Sequence, residues 1–427
     1  MGSFSTPLSG LTAAQQQLQT VSNNLANVGT DGYKDRNLTF SDIFSQTGAT
    51  NGSGDPMQTG SGVSVASTVS DFTEGNLTAT NTSSNMALSG SGFFVTEGAG
   101  GLPNYTRAGD FTTNKAGQLV TPNGELLLGY PATGGVVNTS GSLQPLQVGS
   151  LTSQAVASTT MQISANLDAG AAVGDTASST LPVYDSLGTS HTLSVSYVKT
   201  APNTWTYTVT IPSADVTGGT GTTTTLGSGT MNFSGEGVLT STEPTGGTAT
   251  VLPSAGIALT VPPTGATFAN GALPMTLTWN LQDGSGNTTI TQSATPSATI
   301  DTSTNGFASG TLSTYSVEPD GTIDGTFSSG NTLALGQVAV ASFANTQGLA
   351  NTGNNNYQPT AASGGAVIGL AGTGGRGTIV GGSVEQSNVD IATEFARLIV
   401  AQQAYSANAK SVTTFNQVSQ ATLAMIQ

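Results

Sequence analysis

The sequence predicts a mainly β protein whose two ends form a pair of α-helices. Three observations carry this. Seven-residue apolar repeats occur at both termini. Alternating apolar and hydroxyl residues fill the middle. Gly, Pro and Asn-Gly recur between those runs, as between the strands of antiparallel sandwiches or barrels, and no βαβ spacing is present.

The N-terminal helix follows from a seven-residue frame. Phe4, Leu11, Leu18 and Leu25 share one position, and Pro7, Ala14, Val21 and Val28 lie three residues later. Pro7 suits a first helical turn, where its missing N–H costs nothing. Gly29 follows the last seam residue, as a C-terminal cap should, and Asp31-Gly32 supplies a turn in which Gly32 is expected at positive φ. The C-terminal helix repeats the design. Phe395, Gln402, Ala409, Asn416 and Leu423 fall at one position, and Ile391, Leu398, Tyr405, Val412, Ser419 and Ile426 at the other. Ser387 or Asn388 can cap it, with Asp390 near the positive end of the helix dipole. Off the seam both helices carry Gln, Ser, Thr and Asn rather than Glu–Lys pairs, so little charge pairing supports them alone. They are expected to order when neighbouring subunits bury their sides.

Between the helices, residues 35–70 read as an extended connector rich in Gly, Ser and Thr. Residues 71–150 and 306–385 read as one β-domain, with buried strands at Phe93–Val95, Leu126–Leu128 and Val338–Phe343 and a turn at 318–325. Residues 151–305 read as a second β-domain inserted in the first. There Leu193, Val195 and Tyr197 alternate with polar residues, as do Trp205, Tyr207, Val209 and Ile211. "TAPNT" (200–204) joins the two as a hairpin, and Met275, Leu277, Trp279 and Leu281 mark another half-buried strand. The threonine- and glycine-rich run 216–265 gives no strand assignment.

Composition narrows function. Charged residues are 7% of the chain, with eight Lys and Arg and a net charge of −15. Nucleic-acid binding needs a basic face that this chain does not have, and an anionic membrane surface is disfavoured for the same reason. No cysteine is present, which removes disulfides and thiolate metal sites. "MGSFSTPLSG" has neither the basic nor the apolar region of a secretory signal, and no run reaches the length of a membrane span.

Catalytic patterns are absent. His191, the single histidine, would have to serve any Ser-His-Asp triad, and its place at a strand start suits an exposed or hydrogen-bonded surface role better. "GTGGRGT" (372–378) lacks the Lys-Ser/Thr of a phosphate loop. Asp320 and Asp324 lack calcium-loop spacing and its terminal Glu. No enzyme, cofactor or metal site is expected. Arg107 and Lys115, in "YTRAGDFTTNKAG", fit either intersubunit ion pairs or a solvated hairpin edge.

Four stretches resemble the bacterial flagellar rod and hook proteins. "NNLANVGTDGYK" (23–34) looks like that family's N-terminal signature, with Asn27, Gly29, Thr30, Gly32 and Tyr33 as its turn. "SNVDIATEFARLIVAQQAYSANAKSVTTFNQV" (387–418) looks like the C-terminal one. "GSGFFVTEGAGGLPNYTRAGDFTTNKAGQLVTPNGELLLGY" (90–130) and "ASFANTQGLANTGNNNYQPTAASG" (341–364) also match. "PVYDSLGTSHTLSVSYVKTAPNTWTYTV" (182–209) resembles the outer domain of hook members, which the rod members usually lack.

The resemblance implies a structural subunit of the hook, a tubular homopolymer that joins rod to filament and transmits torque while bending. Residues 1–34 and 386–427 would form its axial coiled coil, with the first β-domain in a middle layer and the insertion outermost. Implied partners are the flagellar rod and hook–filament junction proteins, the hook cap during assembly and the flagellar type III export apparatus. The implied location is outside the cell, reached without a cleaved signal peptide. Alternatives are a distal rod protein of the same family, and a secreted β-rich glycan-binding or adhesive protein.

Overall fold

Alternation builds both β units in the computed structural model of the chain. It describes residues 5–43, 46–50, 56–98, 100–245, 250–251 and 256–426. Two units result. The first comprises 1–150, 314–325 and 332–427, and the second comprises 151–313 and 326–331. The chain therefore returns to the first unit at Thr314, later than the expected 306, and 326–331 rejoin the insertion. The expected turn at 318–325 is a turn only to Gly321. From Thr322 it runs into a strand ending at Phe327, because Ile323 and Phe327 alternate inward.

In the inserted unit, strands Ser190–Ala201 and Thr204–Pro212 pair antiparallel, with a tight link at Pro202-Asn203. Asn203 takes φ +58, which asparagine tolerates. The unassigned 216–265 run yields Thr223–Phe233, Leu239–Pro244 and Ile257–Val261 among its described strands. A six-stranded sheet contains the first two of these and a five-stranded sheet the third. Both sheets contribute to one core around Trp205, Trp279, Tyr197 and Tyr207. Tyr207 meets the Trp279 ring edge-on at 5.5 Å. Each such side chain contributes about 1.5–3 kcal/mol by leaving water.

Pairing in the insertion is not wholly antiparallel, as the sequence suggested. Thr160–Asp168 runs parallel to Met275–Asn280 and to Ile290–Ser293. More than a hundred residues separate these partners, ample for the crossover that parallel pairing requires.

The first unit is centred on Thr332–Ser342, which pairs with Leu126–Thr133, Phe93–Glu97 and Val367–Leu370. Phe94, Val338 and Val340 face one apolar cluster, while Phe93, Val95, Ala339 and Ala341 face another on the opposite side. That is why these strands read as continuous apolar runs. The 35–70 stretch is extended but doubles back, so it is not an open connector. Arg36–Asp42 pairs antiparallel with Val63–Ser70, joined by Ser and Thr side chains such as Thr39 and Ser67. Its hydroxyl-rich strands bury almost nothing, which hid them in the sequence.

Helix α1 spans Ser5–Ala26 and α2 spans Ile391–Ile426. They pack antiparallel. A side chain at Gly10 would strike Asn408, and Asn24 donates to Glu394 at 3.1 Å.

Candidate functional site: the junction of the two termini

The signature turn is built by its own polar groups. The Asn27 amide donates to the Asn23 carbonyl at 2.8 Å, and the Thr30 and Tyr33 N–H groups close successive turns onto the carbonyls of Asn27 and Thr30. Gly32 takes φ +68 and donates its N–H to the Glu385 carbonyl at 2.6 Å. Its bare Cα is needed twice over, since a Cβ would lie 2.5 Å from the Ala108 nitrogen. Gly29 is not the cap expected. It has no positive φ, sits exposed and has nothing within 4 Å of its Cβ position. Helix α1 already ends at Ala26, where the Asn27 N–H and side-chain amide both donate to the Asn23 carbonyl.

Two buried polar clusters fix this turn. In the first, Asn24 accepts from the Tyr33 hydroxyl at 3.1 Å and from the Arg36 N–H at 3.2 Å. It donates to the Arg36 carbonyl, to Glu394 and, closely, to Asp35. Arg397 extends the cluster, contacting Glu394 at 2.6 Å and Asp35 at 3.4 Å. In the second, fully buried Glu385 holds two cations, Lys34 at 2.5 Å and Arg107 at 3.1 Å, and accepts the Gly75 N–H at 2.8 Å. Arg107 is thus a buried intrachain partner rather than a solvated edge, while Lys115 is exposed. Asn388 does not cap α2. Asp390 does, accepting from the Thr393 N–H at 2.6 Å, while Asn388 bridges the Asp35 N–H and the Asp71 and Thr73 carbonyls.

The apolar columns divide between two roles. Pro7, Ala14 and Val21 are buried, and Leu11, Leu18, Leu25 and Val28 are half-buried. Phe4 lies outside the described residues. On α2 the innermost residues are Glu394 and Ala401, one position before the expected column, with Leu398 and Val412 half-buried. Ile391, Phe395, Tyr405 and Leu423 face outward, Phe395 at 49% and Leu423 at 66% exposure. Ile399, Val400, Val418 and Met425 are exposed as well. The Ile426 side chain is not among those described. Since Gly10 faces Asn408, the last dozen or so residues of α2 run past Ser5, the first described residue of α1.

His191, in the inserted unit, is buried rather than superficial. It stacks on Phe268 at 4.6 Å, with Nε2 3.0 Å from Asp185 and Nδ1 3.0 Å from Asp215. Asp185 takes up Nε2, while Nδ1 lies near the Asp215 carboxylate without a hydrogen bond to it. Burial pushes Asp185 up, but hydrogen bonds from Asn270, His191 and the Thr189 and Leu187 N–H groups outweigh it and hold the carboxyl below its usual range. The folded state therefore binds fewer protons here. The stability this contributes is present above the ordinary carboxylate range and is lost as pH falls through the depressed value. Acid titration of thermal unfolding, followed by tryptophan fluorescence, should show this loss. Asp185→Asn should flatten the profile. An unchanged profile would remove Asp185 as its source.

Family models match at 4–34 (flagella basal body rod protein), 87–167 (flagellar hook protein FlgE/F/G D1 domain), 150–307 (flagellar basal body protein FlaE D2 domain) and 380–425 (flagellar basal body rod FlgEFG protein C-terminal). The flagellar hook protein FlgE of Salmonella typhimurium is 33% identical, with 97% of this chain and 98% of that protein aligned. The chain belongs to the flagellar hook protein family. The Escherichia coli hook protein is 34% identical over 97% of this chain and 98% of its own, and that of Borreliella burgdorferi is 34% identical over 98% of each. The crystal structure of Helicobacter pylori flagellar hook protein FlgE2 shares the fold, with a TM-score of 0.51 at 16% identity over 72% of this chain and all of that one. As a hook family member the chain is a structural subunit of the flagellar hook, a component outside the cell. Among the described residues, no helix is long and apolar enough to cross a membrane.

Sequence reasoning missed Asn24, Lys34, Glu385, Glu394 and Arg397. The signal was present in part. In a chain with eight basic residues, a lysine beside a signature turn is conspicuous, as is an acid closing the short strand before the C-terminal helix.

Proposed function

We propose that the chain assembles with copies of itself into a tube that joins the flagellar rod to the filament and transmits torque while bending. The carrying observation is the outward apolar face of α2. A monomer gains nothing by exposing Ile391, Phe395, Ile399, Tyr405 and Leu423 on one helix, whereas a lattice of copies would bury them at about 1.5–3 kcal/mol each. The terminal helices then form the axial wall, and Phe4, Leu11, Leu18, Leu25, Val28, Leu398, Val412 and Ile426 belong to its seams. The chain acts without catalysis. Its remaining partners are the rod and hook–filament junction proteins, the cap during assembly and the type III export apparatus.

Phe395→Asp tests this. The residue is half exposed in the single chain, so the subunit should fold with an unchanged melting temperature. An unpaired carboxylate in a closed seam costs several kcal/mol and repeats in every copy, so polymer should vanish from electron micrographs. Tubes of normal length from this variant would show that the face is not a subunit contact.

A further inference from the structure

Lys34 enters a site that is already complete without it. Before the N-terminal turn docks, Glu385 has Arg107 on one oxygen and the Gly75 N–H on the other. Arg107 also donates to the Gly90 carbonyl at 2.6 Å and the Leu88 carbonyl at 3.2 Å. Docking adds a second buried cation to this neutral pair, with Lys34 Nζ on Glu385 and on the Thr73 carbonyl at 2.7 Å. The charges that face Lys34 are Glu385, Arg107 and the more distant Asp71. Two cations share one buried carboxylate, so the ammonium is admitted at a cost in desolvation.

We propose that Lys34 is a charge gate on docking of the N-terminal segment. Glu385 and Arg107 form a finished socket in the free subunit, and residues 5–34 close onto it only when burial by neighbouring copies offsets the desolvated ammonium. This rests on the polymer reading above. Burial holds the Lys34 ammonium below the ordinary lysine range, with attraction to Glu385 opposing and Arg107 reinforcing that shift. The docked state therefore binds fewer protons than the undocked one, and docking strengthens as pH rises toward the lysine range. Lys34→Met strands no acceptor, because Glu385 keeps Arg107 and Gly75 and the Thr73 carbonyl keeps the Asn388 amide at 3.2 Å. Lys34→Arg carries a charge that cannot be shed.

Hydrogen exchange on the full-length free subunit, corrected for intrinsic rates, tests the gate, with Phe93–Glu97 as internal reference. Wild-type residues 5–34 should exchange freely at about pH 7 and gain protection toward about pH 9. Lys34→Met should be at least about tenfold more protected than wild type at the lower pH, without pH dependence, and Lys34→Arg should stay open at both. The gate is overturned if Lys34→Met is no more protected than wild type, or if wild-type protection falls with rising pH. It is also overturned if the wild-type segment is already as protected as the reference strand. Electron microscopy of the same wild-type preparation under assembly conditions separates the two readings. Tubes with an unresponsive Lys34→Met sink the gate alone, and absence of tubes with the expected exchange pattern sinks the polymer reading alone.

Discussion

Glu385→Gln should destabilise the first unit by about 3–5 kcal/mol, because it leaves Arg107, and Lys34 when docked, as buried cations without a counter-charge. A neutral amide can accept from one of them but cannot offset their charge, and its own N–H₂ would point at guanidinium or ammonium. The two tryptophans make the effect separable, since Trp205 and Trp279 both lie in the core of the inserted unit. Denaturation followed by tryptophan fluorescence should keep its wild-type midpoint, while the far-ultraviolet circular dichroism transition of the first unit moves to lower denaturant. Lys34→Met, which leaves a neutral pair behind, should not move that transition to lower denaturant. Equal shifts from Lys34→Met and Glu385→Gln would mean that the Glu385–Arg107 pair is not complete without Lys34.

Gly32→Val should abolish assembly where Gly29→Val does not. Valine at φ +68 is strained by about 1–2 kcal/mol or more. Its Cβ would also lie 2.5 Å and 2.6 Å from the backbone atoms Ala108 N and Arg107 C, which cannot retreat as a flexible side chain could. The turn must then leave the site, taking with it the Gly32–Glu385 hydrogen bond and the placement of Lys34. At Gly29 the new side chain meets open space. The critical concentration for polymer, measured by sedimentation, should be near wild type for Gly29→Val and beyond reach for Gly32→Val. Similar values for both would mean that the turn conformation at Gly32 is not required.

These two glycines show how far the sequence could be read. Positive φ at Gly32 was legible because Asp-Gly after a helix has few other uses. The cap at Gly29 was not, because Asn27 closes the helix with its side chain, and a side-chain cap leaves no spacing signature. Strands were legible where one face or both are apolar, as at Trp205–Ile211 and Phe93–Val95. They were hidden where hydroxyl ladders replace apolar contacts, as at Arg36–Asp42 with Val63–Ser70. The seven-residue frame found both helices, and the α2 residues buried within the chain, Glu394 and Ala401, lie one position before its Phe395 column. Glu394 is the residue that meets Asn24, and a frame scored on apolarity passes over an acid at a seam. Buried ion clusters between residues more than two hundred positions apart leave no local pattern at all, which is why Lys34, Arg107 and Glu385 became a site only in three dimensions.

The outward face of α2 is the part of the account on which the rest depends. A cryo-electron microscopy map of the polymer formed by the wild-type chain tests it most directly. The map should show a tube whose wall contains α1 and α2, with Phe395, Ile399, Tyr405 and Leu423 packed against neighbouring copies. A tube in which those four side chains face solvent, with the subunits joined elsewhere, would contradict it.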